Sequence, residues 1–257
     1  MKKIALLLCA VLTMSLLLYG CGKDEPAPEA NSSAPGVSDE EMPTTAEEIV
    51  AHNKKIDPAD IDFIQFKTPA AGAQTASIET SMGTVKVVLF PEEAPNAVNN
   101  FIELAKKGYY DGQKFYEVVP TVRVAGGSPD GGKSGESAGG DKFADEYSLN
   151  LWHFNGALAM NNGGIPDQND SRFYFVTSSA TISDELLDEM VAGGFPEKVV
   201  NKYLEVGGVP HYDFKDTVFG QVIEGMDVIQ KIAAASRDEN NKPNEDITIV
   251  AVDIGTL

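Results

Sequence analysis

The residue pattern predicts a mainly β domain, an antiparallel barrel or sandwich decorated by helices. Three observations carry that expectation. Short alternating apolar runs recur from Ala76 to the C-terminus, glycine-rich loops separate them, and the helical stretches do not alternate with the strands as they would in a parallel sheet. With 257 residues, 42% of them hydrophobic, the chain has enough material for a full core. Its 20 Lys and Arg against 39 Asp and Glu give a formal charge of −19, which argues against a phosphate backbone as partner and leaves nucleic acid out of the expected set.

Taken in order, Met1-Lys2-Lys3 and the apolar run Ile4 to Tyr19 read as an export signal, residues 1–20. The run is at the short limit for crossing a bilayer. Leu18-Tyr19-Gly20-Cys21 resembles the lipobox of bacterial lipoproteins, which makes Cys21 the expected lipidated N-terminus and the chain an exported protein anchored to the cell membrane through that lipid. Cys9 and Cys21 are the only cysteines, so no disulfide is expected in the folded part. Residues 21–44, rich in Pro, Ala, Ser and acids, offer almost nothing apolar to offset ordering entropy and read as a flexible tether. An extension, 45–75, carries one short helix, 46–52, behind the capping-box pattern Thr45-Ala-Glu-Glu48.

The main domain is expected over 76–257. Ile78, Thr80, Thr84, Lys86 and Val88 alternate with their neighbours across Met82-Gly83, predicting a hairpin. Ala94, Ala97, Val98, Phe101, Leu104 and Ala105 keep helical spacing up to Gly108. Strands are predicted at 114–119, 122–125, 157–160 and 172–177. A helical pair is predicted at 184–192, after Ser183, and at 196–206, with Pro196 at its first position and Gly207 past its end. A strand at 217–223, a helix at about 225–235 and a strand from Ile247 to Ile254 complete the chain.

Seven blocks then carry a family resemblance: GTVKVVLFP (83–91), APNAVNNF (94–101), FYEVVP (115–120), AGG (125–127), GALAM (156–160), NDSRFYF (169–175) and VFGQVIEGM (218–226). In this order they resemble cyclophilins. The resemblance implies a closed eight-stranded antiparallel barrel capped by two helices, with residues 181–210 as a helical insertion. It implies peptidyl-prolyl cis-trans isomerase activity on proline-containing segments of exported proteins, with no cofactor and no metal. The barrier of that reaction, about 18–20 kcal/mol, comes from amide resonance. Twisting the amide returns a lone pair to the prolyl nitrogen, so a donor aimed there binds the transition state better than the ground state.

The family uses an arginine for this, and here Glu117 occupies its position. A carboxylate only accepts hydrogen bonds. Val122 stands where the family carries phenylalanine, Arg123 where it carries methionine, and Ala125 and Arg172 where it carries glutamine. His211, Tyr212 and Asp216 replace its tryptophan, leucine and histidine. Met160, Asn162 and Tyr174 stay compatible with an apolar floor and a backbone-gripping amide; Phe115 and Asn161 complete the expected substrate-binding set. Arg123 and Arg172 are the candidate relocated donors for a weak isomerase. The alternative is a non-catalytic proline-peptide-binding or chaperone-like domain, and a plainer one is that Glu117 merely pairs with Arg123 or Arg172.

Other patterns are set aside. Gly127 to Ser134 satisfies G-x-x-x-x-G-K-[ST], but the glycine-broken run after it cannot form the helix a phosphate loop needs, so no nucleotide is expected. Asp167, Asn169 and Ser171 have calcium-loop spacing without the turn glycine or the closing glutamate. His52, His153 and His211 are scattered, and His153 reads as a packed loop residue.

Overall fold

The computed structural model describes residues 45–179 and 182–257. The expected signal, Cys21, the tether and Thr181 lie outside the described residues. Among those described, no helix is long and apolar enough to cross a membrane.

Helix α1 (Ala46–Asn53) opens on the capping box: Thr45 Oγ1 accepts from Glu48 N at 3.2 Å while Glu48 Oε2 accepts from Thr45 N at 2.9 Å. Two 3-10 turns, Pro58–Asp60 and Ile64–Phe66, interrupt a stretch that the sequence left irregular. Strands β1 (Gln74–Thr80) and β2 (Gly83–Leu89) form the hairpin, with Ile78 opposite Val85. Helix α2 (Pro95–Lys106) starts at Ala94, whose side chain cannot cap. Glu146 does so from a distant loop, accepting from Asn96 N and Ala97 N at 2.9 Å each.

The remaining elements are β3 (Glu117–Val119), β4 (Arg123–Gly126), β5 (Ala157–Met160), β6 (Phe173–Val176), α3 (Asp184–Ala192), α4 (Glu197–Val206), β7 (Val218–Glu224), α5 (Met226–Ala233) and β8 (Ile249–Thr256). Ser183 caps α3 through a bond from Leu186 N at 3.2 Å. Pro196 is the N-cap of α4, one position earlier than its spacing suggested. Gly207 closes α4 at φ +77°, where a Cβ would lie 2.5 Å from the Ser179 backbone.

All eight strands form one antiparallel sheet, ordered β3-β4-β6-β5-β7-β2-β1-β8. The expected closed barrel is corrected here: the sheet curls into a half-barrel whose end strands, β3 and β8, do not pair. The reason lies at β3, which is three residues long and whose outer edge is taken by the loop before β8, Val118 N donating to Asn241 O at 2.7 Å. The segment ahead of β3 crosses the seam instead, through the bridge Lys114–Thr248, Phe115 N to Ile247 O at 2.9 Å and Ile249 N to Gln113 O at 2.8 Å.

Strand alternation sorts the side chains into separate cores. Val118, Val124, Leu158, Met160, Phe173 and Phe175 point inward and pack with Phe101 of α2 and Ile229 and Ile232 of α5. Ala125, Ala157, Ala159, Tyr174 and Val176 point to the outer face, where Val122, Tyr116 and Tyr212 join them. A third core unites α3, α4 and the extension around Trp152, Phe154 and Tyr203, with Ile61, Met190 and Val199. Gln65 ties the extension to the sheet, bonding to Trp152 N, Trp152 O and Gln221 at 2.8 to 3.0 Å.

Candidate active site

The outer face of β3-β4-β6-β5 carries one register row, Glu117 opposite Ala125, Ala125 opposite Tyr174, and Tyr174 opposite Ala159. Arg123 lies diagonal to Glu117 on that face. Its Nε donates to Glu117 Oε2 at 2.9 Å, with 19% and 25% of the two side chains exposed. Its Nη groups make no hydrogen bond among the described residues. The guanidinium carbon sits 5.3 Å from the centre of the Tyr174 ring and 5.4 Å from that of Tyr212. Two such contacts favour a cation by about 0.5–2 kcal/mol each. Burial works against this charge, yet the Glu117 carboxylate holds the guanidinium's pKa above its ordinary value.

Beneath the guanidinium, Tyr174 donates its hydroxyl to Asp216 Oδ2 at 2.8 Å. Burial raises the pKa of Asp216, opposed by the His153 ring, the Tyr174 bond and Arg123. The buried Tyr174 phenol is likewise pushed well above its usual value, mainly by desolvation.

Arg172, the other candidate donor, is committed elsewhere. Its backbone N and Nε donate to Asp170 Oδ1 at 2.8 and 2.9 Å, its Nη2 reaches Asp170 Oδ2 at 2.8 Å, and Lys142 binds the same carboxylate. Nη1 reaches Gly132 O at 3.4 Å. The plain pairing reading therefore holds for Arg123 with Glu117 and not for Arg172 with Glu117.

Four further expectations are corrected. Met160 belongs to the interior core because strand alternation turns it away from the outer face, and Phe115, in the segment ahead of β3, packs into the same core. His211 is exposed and its Nε2 lies 3.0 Å from Glu189 of α3, so it faces that helix. Asn162 spends its amide on Lys215 O at 2.8 Å and on Asp145, and its oxygen accepts from Gly164 N, which leaves little for a substrate backbone. Asn161 donates to Tyr116 Oη at 2.9 Å, and burial pushes that phenol's pKa up to about 12. Val122, Ala125, Tyr174, Tyr212 and Asp216 do converge on the outer face around Arg123.

The phosphate-loop pattern folds around its own anion: Asp130 accepts from Ser134 N at 2.9 Å, Ser134 Oγ at 2.7 Å and Ser128 Oγ at 2.8 Å, and those bonds lower its pKa. In the calcium-like stretch, Asp167 turns to Asp145 N and Ser171 Oγ to Gly127 O, so the side chains diverge. Sequence reading missed Asp213 and Tyr203 altogether and saw only packing in His153. Asp213 Oδ1 accepts from His153 N and pairs with Nδ1, both at 2.9 Å, and Tyr203 donates to Asp213 Oδ2 at 2.7 Å. No local motif signals that cluster, since its three members come from a loop, a helix and a 3-10 turn boundary.

A curled eight-stranded antiparallel sheet with one guanidinium seated over two tyrosine rings on its outer face defines the class of fold. Comparison specifies it. Residues 75–254 match the family described as cyclophilin type peptidyl-prolyl cis-trans isomerase/CLD, and the chain belongs to that family. A Staphylococcus saprophyticus relative named as a putative peptidyl-prolyl cis-trans isomerase is 39% identical over 195 residues, covering 75% of this chain and 98% of its own. A Streptococcus pyogenes relative named as a putative bifunctional phosphatase/peptidyl-prolyl cis-trans isomerase is 37% identical over 198 residues, and the chain spans 42% of that longer protein. Among solved structures, a Cryptosporidium parvum cyclophilin-type isomerase superposes with a TM-score of 0.58 at 27% identity, over 71% of this chain and 98% of its own. The same protein crystallised in the presence of the dipeptide Ala-Pro gives 0.57 at 26% identity, over 70% of this chain and 98% of its own.

Proposed function

We propose that the chain is an exported peptidyl-prolyl isomerase of low turnover, anchored to the cell membrane through a lipid on Cys21 and acting on proline-containing segments of exported proteins, with Arg123 as its donor. The state of Arg123 carries this reading: one nitrogen is bonded to Glu117, the guanidinium is seated over two tyrosines, and its Nη donors have no hydrogen-bond partner among the described residues. A guanidinium offers donors only and stays charged, which suits a twisted amide nitrogen whose lone pair has returned. Glu117 both fixes that donor and weakens its field, and its carboxylate repels a substrate carbonyl, which supports slow turnover. The Ala-Pro dipeptide in the related crystal supports a proline peptide as substrate. The export and anchor assignments rest on Met1 to Cys21 alone.

A second reading, binding of proline peptides without turnover, is favoured by one observation: the guanidinium covers the Tyr174 ring, which is fully buried. Exchange in a Xaa-Pro peptide followed by NMR separates the two. Wild type should accelerate exchange slowly, Arg123→Ala should leave only a small residual acceleration with the thermal transition nearly unchanged, and Glu117→Arg should raise the rate. Loss of one preorganised donor is worth about 3–4 kcal/mol in such sites. A fast wild type indifferent to Arg123→Ala overturns the donor assignment, and binding without acceleration selects the second reading. For the anchor, Cys21→Ser should release the protein from the membrane fraction; full retention with the signal still cleaved defeats it.

A further inference from the structure

The inserted helices reach the outer face through one line of buried polar contacts. Tyr203 of α4 donates to Asp213 Oδ2 at 2.7 Å, Asp213 Oδ1 holds His153 through its backbone N and Nδ1 at 2.9 Å each, and the His153 ring stacks on Tyr174 at 6.1 Å and 18°. The same ring tilts against Tyr212 at 6.0 Å, so one imidazole touches both rings that seat Arg123. With Asp213 as acceptor, Nδ1 carries the proton. Nε2 is buried and has no hydrogen-bond partner among the described residues, so the histidine acts on its neighbours through its ring faces. His153 is 1% exposed and Tyr203 fully buried. Burying a carboxylate and an imidazole costs more than burying apolar side chains of the same size, and an aromatic residue without a hydroxyl at 203 would fill the third core equally well. The hydroxyl therefore contributes direction: it orients Asp213, which orients His153.

We propose that His153, fixed by Asp213 and Tyr203, is the positioning residue for the Tyr174–Tyr212 seat of Arg123, so that the inserted helix α4 sets the geometry of the donor. The proposal rests on Arg123 being that donor, and its test reads Arg123 both with and without turnover. Tyr203→Phe removes one hydroxyl and keeps the ring. In full-length protein it should shift or broaden the Arg123 Nε–H resonance in an arginine-selective ¹⁵N spectrum. It should lower kcat on a Xaa-Pro peptide roughly tenfold with KM within about twofold, the split expected when a transition-state contact is displaced. In an Arg123→Ala background the same substitution should change the residual rate by less than about twofold, because coupled residues do not add. A general structural defect would instead slow both backgrounds alike and raise KM. If Tyr203→Phe does not fold, Asp213→Asn serves with the same three readouts. An unmoved Arg123 resonance with an unchanged rate, or equal slowing in both backgrounds, overturns the proposal. A wild type without turnover defeats the isomerase reading instead, and the Arg123 resonance alone then decides the positioning claim.

Discussion

Two arginines stand near the same face and end in opposite states. Arg172 gives its backbone N, Nε and Nη2 to Asp170, whose side chain has no exposed surface and which also binds Lys142. Arg123 gives one nitrogen to a quarter-exposed Glu117 and rests on two aromatic rings. The first is a structural cation, enclosed and bonded through all three of its guanidinium nitrogens; the second keeps both Nη groups unbonded among the described residues. Residue type was the same in both, so burial and bond count decide which arginine keeps unbonded donors.

The largest expected effect breaks the enclosed pair. Asp170→Asn keeps the shape, removes the charge and leaves Arg172 buried beside Lys142 without compensation, which should cost about 3–5 kcal/mol in urea unfolding. Burial disfavours the Asp170 charge, but the bonds from Arg172 and Lys142 hold its pKa below the usual value. Its stabilisation is therefore complete above the ordinary carboxylate range and is lost as pH falls through its own lower pKa. A variant as stable as wild type at neutral pH would show that Asp170 does not anchor Arg172.

A smaller effect of opposite sign belongs to the floor beneath Arg123. Burial raises the pKa of Asp216, so the folded chain keeps a proton that the unfolded chain has lost once pH exceeds the ordinary carboxylate range. Stability falls as pH rises through that window. Asp216→Asn retains an oxygen for the Tyr174 hydroxyl and should flatten this part of the profile, with a gain of about 1 kcal/mol at neutral pH for each unit by which the pKa was raised. A profile that keeps its slope in the variant would remove Asp216 as its source.

The smallest effect on stability is expected at the partly exposed pair. Glu117→Gln should change unfolding by less than about 1 kcal/mol, as partly solvated pairs do. It should speed isomerisation, because Arg123 keeps an acceptor and loses the opposing charge. A loss of several kcal/mol would place this pair with the enclosed one.

Much of the architecture was legible because it follows local rules. The capping box at Thr45, the Met82-Gly83 hairpin, Ser183 ahead of α3 and the strand at 157–160 all stand where spacing put them. Barrel closure was not legible, since it depends on how a three-residue strand and the loop through Asn241 meet at one seam. The cap of α2 was equally hidden: Glu146 lies 50 residues from Asn96.

The candidate site divides along the same line. Order of blocks in the chain and the residue types at 117, 122, 123, 125, 174, 212 and 216 already pointed to a cyclophilin face with Glu117 at the family's arginine position. Which arginine stays available, why His211 turns to Glu189, and why Phe115 and Met160 sink into the interior were settled only in three dimensions. The physical reason is range: capping, turn chemistry and alternation act within a few residues and are written in local sequence. Burial, ion pairing and ring stacking join residues such as His153, Tyr174, Tyr203 and Asp213, which meet only when the sheet and helix α4 have packed.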